Sequence, residues 1–335
     1  MKRSALWLSA SVWGLALASV ASAQPAAIPI PGGDKGVGFD DLRWSPALRR
    51  LIVPAAGTGS IVLWDPRELA QTQISGLGEA EEYRGGYDAG VTSADEGRGF
   101  VFAGNRTSRR LIVVDPKDGR VVSSGKLGGS PDYVRWVEPT GEIWVTEPEE
   151  ERIEVFRLDG NPPKPVHEDF IAVKGGPESL VVDVARARVY THLWKGKTVA
   201  LTLKNRGVAA TWPNGCDGSR GIALDPDRGF LFAGCAEGAA AVLDARDGRL
   251  LSKLRVGEGV DLIDYSPRLS HLYLAAGKSA TLPILLVSAT GALELAGEVP
   301  TAAGGHCVAA DESGNAYVCD PKAGRLLVVR DPFGP

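Results

Sequence analysis

Residues able to bind ligands or transfer protons recur along the chain at intervals of about 45 positions. Each precedes a short apolar run, at the equivalent place of a repeated pattern, and the set comprises Asp40, Tyr133, Glu178, Arg220, Asp261 and His306. Gly90 takes that place in one copy. Because an apolar repeat does not itself require charged residues at one recurring position, these side chains predict a shared binding pocket.

Two kinds of chemistry suit this set. Carboxylates around Arg220 would hold a small polar ligand, either zwitterionic or carboxylate-bearing, with the guanidinium as a bidentate anchor. Alternatively, His306 beside carboxylates would act as a general acid or base, since an unperturbed imidazole has a pKa of about 6.5. The residues favour non-catalytic binding, and a hydrolase or lyase is the alternative.

The elements that must position these residues form a sevenfold repeat. Residues 221–234 read GIALDPDRGFLFAG and residues 91–104 read VTSADEGRGFVFAG, an apolar pair joined by a turn. Asp, Pro and Gly are typical of such turns, so each copy predicts a β-hairpin. A third apolar run and, in most copies, a fourth follow each hairpin. The pattern predicts an all-β, seven-bladed β-propeller of four-stranded blades.

The last copy lacks room for a fourth strand before the end of the sequence. Residues 26–31 read AAIPIP and stand ahead of the first hairpin, where the other copies have their fourth strand. We therefore expect this segment to complete the seventh blade and close the ring. Its prolines are acceptable because an outer strand is a sheet edge.

Strand–turn units at two places carry a family resemblance. Residues 111–119 read LIVVDPKDG and residues 241–248 read AVLDARDG, with LGGSP at 127–131 and KGGP at 174–177 before the next blades. These units resemble the YVTN-type seven-bladed propellers across essentially the whole mature chain. The resemblance implies an exported or cytosolic binding protein. The WD pair at 64–65 occurs once and does not indicate the WD40 subfamily.

A second resemblance concerns a metal. The segments around Asp40, Arg220 and His306 are similar to the three motifs that hold the metal of gluconolactonase-like propellers, which implies calcium and a lactonase. An arginine and a histidine stand where that family has metal ligands, and those relatives have six blades. We therefore predict no cofactor, with a calcium-dependent lactonase as the alternative.

The first 23 residues predict a signal peptide. Lys2 and Arg3 precede an uncharged apolar run that ends in Ala21-Ser22-Ala23, so cleavage is expected between Ala23 and Gln24. Residues 24–335 then form one propeller domain, periplasmic or secreted, without membrane insertion. A formal net charge of −4 makes nucleic acid an unexpected partner. A small polar ligand or an envelope protein is expected instead, and the protein is expected to be a monomer.

Four cysteines agree with an oxidising compartment. Their place in the repeat favours the pairs Cys216–Cys235 and Cys307–Cys319, while a metal site or free thiols are the alternatives.

Three further histidines carry weaker expectations. His192 is a candidate for the channel mouth, beside Trp194, whereas His167 and His271 are expected on exposed loops.

Overall fold

A computed structural model describes residues 25–334, so the predicted signal peptide and its cleavage point lie outside the described residues. Seven antiparallel sheets of four strands each form the architecture, in the order of the seven repeats. The predicted seven-bladed propeller is confirmed. Within each of the first six blades, sequential strands pair from the innermost to the outermost.

Strand β1 and the first three blades occupy the first half of the chain. They are β1 (Ala26–Pro29), β2 (Arg43–Ser45), β3 (Arg50–Ala55), β4 (Ser60–Asp65), β5 (Ala70–Ile74), β6 (Val91–Gly97), β7 (Phe100–Asn105), β8 (Arg110–Asp115), β9 (Arg120–Lys126), β10 (Val134–Val137), β11 (Glu142–Glu147), β12 (Arg152–Asp159) and β13 (Lys164–Ala172). Blades one to three are β2–β5, β6–β9 and β10–β13.

Blades four to seven occupy the second half. Their strands are β14 (Val181–Asp183), β15 (Arg188–Leu193), β16 (Lys197–Thr202), β17 (Val208–Pro213), β18 (Ser219–Asp225), β19 (Phe230–Cys235), β20 (Ala239–Asp244), β21 (Leu250–Arg255), β22 (Val260–Ser266), β23 (His271–Ala276), β24 (Thr281–Val287), β25 (Leu293–Pro300), β26 (Val308–Ala310), β27 (Asn315–Asp320) and β28 (Arg325–Arg330).

The N-terminal strand closes the ring, as the sequence predicts. Strand β1 pairs with β28 in antiparallel register, with Ala26 opposite Val328 and Pro29 opposite Arg325. The seventh sheet therefore has the order β1-β28-β27-β26, and both ends of the described chain contribute to it. Inner strands β2 and β26 also contact each other across the junction of the first and seventh blades.

Aspartates end several strands by capping the following turn. Asp115 Oδ1 accepts a hydrogen bond from the Lys117 amide at 3.0 Å, and Asp244 Oδ1 accepts one from the Arg246 amide at 2.9 Å. Such side-chain turns satisfy backbone groups that the sheet leaves free. These aspartates therefore have a structural role, as their position in the repeat predicts.

The hydrophobic core lies between neighbouring blades. Trp144, Ile153 and Val155 of blade three pack with Val189 and Leu201 of blade four in one buried cluster. Strands of the inner three positions are buried on both faces, whereas the outermost strands alternate exposed and covered residues. This packing fixes the inner strands around a central channel, where polar residues can be held in place.

Both predicted disulfides are present. Cys216 bonds to Cys235 and Cys307 to Cys319, and no cysteine within residues 25–334 is free. Within the same residues, no helix is long and apolar enough to cross a membrane.

Candidate functional site

The predicted site residues gather at one end of the channel, which we call the upper end. There the segments that enter the inner strands bring together acidic groups from blades one, three, four and six. We define the upper ring as Asp40, Asp132, Glu178, Asp261, Arg106, Arg220 and His306. All of these except Asp132 and Arg106 are ring positions predicted from the sequence.

Two arginines pair with three of the ring carboxylates. Arg106 donates to Asp40 Oδ2 at 2.9 Å and also pairs with Asp132. Arg220 Nη1 lies 3.2 Å from Glu178 Oε1. Asp261 forms no ion pair with any residue between 25 and 334. The upper ring therefore carries more carboxylates than guanidinium groups.

Burial and mutual repulsion hold the ring carboxyls partly protonated. Burial, opposed by Arg106 and reinforced by Asp261, raises the pKa of Asp40 to about 7. Burial, with Asp261 and Asp40 acting against Arg220, raises the pKa of Glu178 to about 8. Burial also raises the pKa of Asp132 and of Asp261 above the usual range of aspartate. Each shift arises first from burial, which the nearby positive charges do not fully offset.

Trp194 extends the site on one side. Its indole N–H donates to the Glu178 carboxylate, and the Arg220 guanidinium stacks over its ring at 3.5 Å. Arg220 is therefore engaged from two directions and keeps only 23% of its side chain exposed. A guanidinium held in this way has little freedom to anchor a carboxylate ligand.

The connection between the first and second blades closes the upper end. We call residues 75–90 the strap. Tyr87 of the strap stacks on His306 of blade seven, with 4.9 Å between the ring centroids, and Arg106 of blade two lies 5.5 Å from the same tyrosine ring. Tyr83 packs on Gly36, where any Cβ atom would collide with the tyrosine ring. Tyr87 thus plugs the mouth that the sequence predicts as open.

His306 is held by the backbone on both sides of its ring. Nε2 lies 2.8 Å from the Phe39 carbonyl oxygen, and Nδ1 lies 2.8 Å from the Gly304 carbonyl oxygen. A neutral imidazole carries one N–H, so only the imidazolium donates to both carbonyls. This arrangement leaves neither nitrogen free to receive a substrate proton.

A buried ion pair separates the upper ring from the rest of the channel. Arg135 of blade three binds Asp41, which leads into blade one, through two nitrogens at 2.5 and 2.9 Å. Ser93 of blade two donates to the same carboxylate at 2.6 Å, and Arg135 also donates to the Leu180 carbonyl of blade four at 3.1 Å. This cross-brace connects four consecutive blades at the channel axis.

Below the cross-brace, the channel opens into a cavity of about 650 Å³, which we call the lower chamber. Every blade except the second contributes an inner strand to its lining. Blade two contributes no side chain there because Gly97 makes room for the Trp136 ring. This chamber is not among the features predicted from the sequence. The sequence does contain a pattern that indicates it. Apolar residues follow the ring positions by two or four places, as in Leu42 after Asp40 and Leu224 after Arg220, and so project toward the same channel.

Tyr133 differs in role from the other predicted ligand-binding residues. Its side chain is 5% exposed, and the Arg135 guanidinium stacks over it at 4.9 Å. Tyr133 therefore supports the cross-brace and lines the lower chamber.

The remaining histidines are structural. His192 is fully buried against Thr198, at 2.9 Å, and burial lowers its pKa to about 4, so it does not reach the channel mouth. The prediction of an exposed His271 is wrong, because this residue lies buried 2.6 Å from Asp331. The prediction of a loop position for His167 is also wrong, because it lies in β13 and binds Glu154 at 2.9 Å.

The upper ring does not have the geometry of a metal centre. Among residues 25–334, three potential ligand atoms come within 4.8 Å of one another only in groups that include both cysteines of a disulfide. Those sulfurs are bonded to each other and are not thiolates. Arg220 stands at one of the positions that the gluconolactonase-like resemblance would assign to a metal ligand, and a guanidinium group has no lone pair to offer a metal ion.

Comparisons with solved structures agree on the fold. The chain is similar to a chain of the mitotic checkpoint complex, with a TM-score of 0.77, 12% identity and 99% of each chain covered. It is also similar to a chain of hydrazine synthase from Kuenenia stuttgartiensis, with a TM-score of 0.72 and 13% identity over 96% of this chain and all of the other. No protein-family model and no curated protein matches the sequence. The protein is thus a seven-bladed β-propeller, an architecture consistent with a binding or interaction scaffold.

Proposed function

We propose that this protein is a non-catalytic binding propeller that holds a small polar ligand bearing a protonated amine at the upper ring. The ligand would sit beneath Tyr87, against Asp261. The YVTN-type resemblance and the two disulfides support an exported binding protein of this kind.

One observation carries the proposal: Asp261 has no ion-pair partner within residues 25–334, and its hydrogen-bond donor is the uncharged Tyr87 hydroxyl. Four ring carboxylates face two guanidinium groups, and even a protonated His306 leaves one negative charge without a partner. Burying an uncompensated charge costs several kcal/mol in proteins, which is why the ring carboxyls have raised pKa values. A bound ammonium group would remove this cost by replacing a proton with a fixed positive charge.

The ring favours an amine over the carboxylate that the sequence pattern alone suggests. Arg220, the expected anchor, is already paired with Glu178 and stacked on Trp194. The amino group of a zwitterionic ligand would still fit beside Asp261. Both His306 nitrogens face backbone carbonyls, which argues for binding and against acid–base catalysis.

The test is a thermal-melting series on the mature protein with butylammonium, butanol and butyrate, three probes of similar size and different charge. Butylammonium should raise the melting temperature at pH 8, where more of the ring carboxyl groups are ionised, and should do so less at pH 6. Butanol and butyrate should have no comparable effect. A ligand that binds only the native state stabilises it by mass action.

The variant Asp261→Asn should remove the butylammonium effect, and Asp118→Asn, an exposed aspartate on the outer part of blade two, is the matched control. An ammonium effect that persists in Asp261→Asn would contradict the proposed site. Stabilisation by butyrate that disappears in Arg220→Ala would restore the carboxylate-binding alternative.

A further inference from the structure

We propose that the lower chamber is a second binding site, specific for a small amphipathic anion with an aromatic or aliphatic ring body and one carboxylate. This inference concerns the end of the channel opposite the upper ring and does not depend on the ligand proposed there. The cross-brace formed by Arg135 and Asp41 separates the two sites.

The walls of the chamber are suited to an apolar body. Its lining includes side chains from blades one, three, four, five and six, among them Leu42, Trp44, Trp136, Val182, Leu224 and Ile263. Its volume of about 650 Å³ lies within the roughly 300–1,000 Å³ of small-molecule pockets. An open channel filled only with water would gain nothing from such a lining, because apolar surface is most stable away from water.

The carboxylates around the chamber are mostly occupied by the protein itself. Asp41 is bound by Arg135 and Ser93. Asp264 accepts the amides of Ala310 and Tyr265, each at 2.8 Å. Asp311 accepts hydrogen bonds from Asn315 and Tyr317, among others. Glu312 is exposed at the entrance, where water screens its charge.

The arginines differ in this respect. Arg43 pairs with Asp95, and Arg135 pairs with Asp41. Arg268 instead donates to two backbone carbonyls, those of Glu312 and Ser313, both at 2.9 Å. It forms no ion pair with any carboxylate of the described chain. The guanidinium of Arg268 is thus fixed in direction at the entrance and has its charge available to an anion.

The position of the entrance agrees with this assignment. Pro46, Pro226, Pro267 and Arg268 lie in turns that join the innermost strand to the second strand of their blades. A ligand would therefore enter from the face that carries these turns, place its ring against the tryptophans and leave its carboxylate beside Arg268. Tyr87 and the strap lie at the other end and would not obstruct it.

The experiment uses three naphthalene probes, 2-naphthoate, 2-naphthalenemethanol and 2-naphthylmethylammonium, titrated into the mature protein by calorimetry at neutral pH. Naphthoate should bind most tightly and the ammonium probe least. Arg268→Gln should weaken naphthoate binding about tenfold, which is the effect expected for the loss of one hydrogen bond to a charged group. The same variant should change the affinity for the alcohol by no more than about twofold. Glu312→Gln should strengthen naphthoate binding slightly.

Occupancy of the chamber is tested by filling it. Leu224→Trp places a larger side chain in the channel and should weaken all three probes at least about tenfold, whereas Leu295→Trp, an exposed position on the outer strand β25, should change none of them. Val182→Phe replaces Leu224→Trp if the latter melts at a much lower temperature.

Two results would overturn the proposal: equal affinities for the anionic and cationic probes, or naphthoate binding that Leu224→Trp and Val182→Phe leave unchanged. Tyr87→Ala and Asp261→Asn should leave naphthoate affinity unchanged. Failure of the amine site at the upper ring is therefore distinguishable from failure of the chamber.

Discussion

The two ends of the central channel are built from the same inner strands and have opposite character. At the upper end, carboxylates, arginines and His306 satisfy one another in part, and Tyr87 covers them. At the lower end, apolar side chains surround an open cavity of about 650 Å³. The difference teaches that a repeated fold fixes where side chains project, whereas the residue at each level of the strand decides whether that end of the channel is lined by charged or by apolar groups.

The cross-brace is the boundary between these regions, and breaking it should have the largest effect. Arg135→Met leaves the buried carboxylate of Asp41 without its partner and should lower the free energy of unfolding by about 3–5 kcal/mol. Urea denaturation measures this loss. The double variant Arg135→Met/Asp41→Leu should recover part of it, because no buried charge is then left unpaired. If Arg135→Met were as stable as the wild type, the Arg135–Asp41 pair would not stabilise the boundary between the two ends.

The disulfides both lie toward the upper end. Cys216 shortly precedes the ring residue Arg220, and Cys307 directly follows the ring residue His306. Replacing Cys216 and Cys235 by alanine should lower stability by about 3 kcal/mol, and replacing Cys307 and Cys319 by slightly less, since their sequence separations are 19 and 12 residues. Melting of the two double variants, with the wild type in reductant as the control, checks this. The opposite ordering would show that chain entropy does not determine the effect.

The upper ring should make stability depend on pH. An unfolded carboxyl has a pKa of about 4, and in the fold those of Asp40 and Glu178 rise to about 7 and about 8. Between pH 4 and about 8 the folded state therefore holds more protons than the unfolded state. The ring's contribution to the free energy of unfolding is complete below pH 4 and is lost as the pH rises to about 8.

The glutamine of the variant Glu178→Gln cannot ionise. The variant should therefore melt at least about 2 °C above the wild type at pH 8, and the difference in melting temperature should be smaller at pH 5. The paired melting curves isolate the ring from other titrating groups. The control Glu294→Gln changes an exposed glutamate of the outer strand β25 and should follow the wild type. A constant difference across this range would contradict the role of the ring.

The smallest expected effect concerns Tyr87, which covers the upper ring. Tyr87→Ala removes the stacking on His306 and should reduce the unfolding free energy by no more than about 1.5 kcal/mol, the upper range for an aromatic pair. Tyr87→Phe keeps the stacking and serves as the control. Hydrogen exchange at the amide of His306 should accelerate in Tyr87→Ala. A loss several times larger would mean that the strap is part of the folded core rather than a cover.

The repeat made the fold, the ring closure and the disulfide pairs predictable, because each depends on local hairpins and on their spacing. The ring residues were predictable for the same reason, through their equivalent position in each copy. Tyr87 and Arg106 were not, since they reach the mouth from connections that differ between blades. The wide spacing between Asp40 and Gly90 was the only sign of the strap. The cross-brace required contacts between blades that no single repeat encodes.

Closure by β1 has a consequence for how the molecule meets other molecules. Strand β28 would otherwise be a bare sheet edge with unpaired backbone groups, and β1 covers it from Ala26 to Pro29. Exposed edges of this kind recruit strands from neighbouring copies and promote aggregation. The N-terminal strand takes the place of β28 as the outer edge of this blade, and Pro29, which has no N–H group, cannot donate to an added strand there. A chain re-cut between two other blades would keep β1 on β28 and should remain equally soluble.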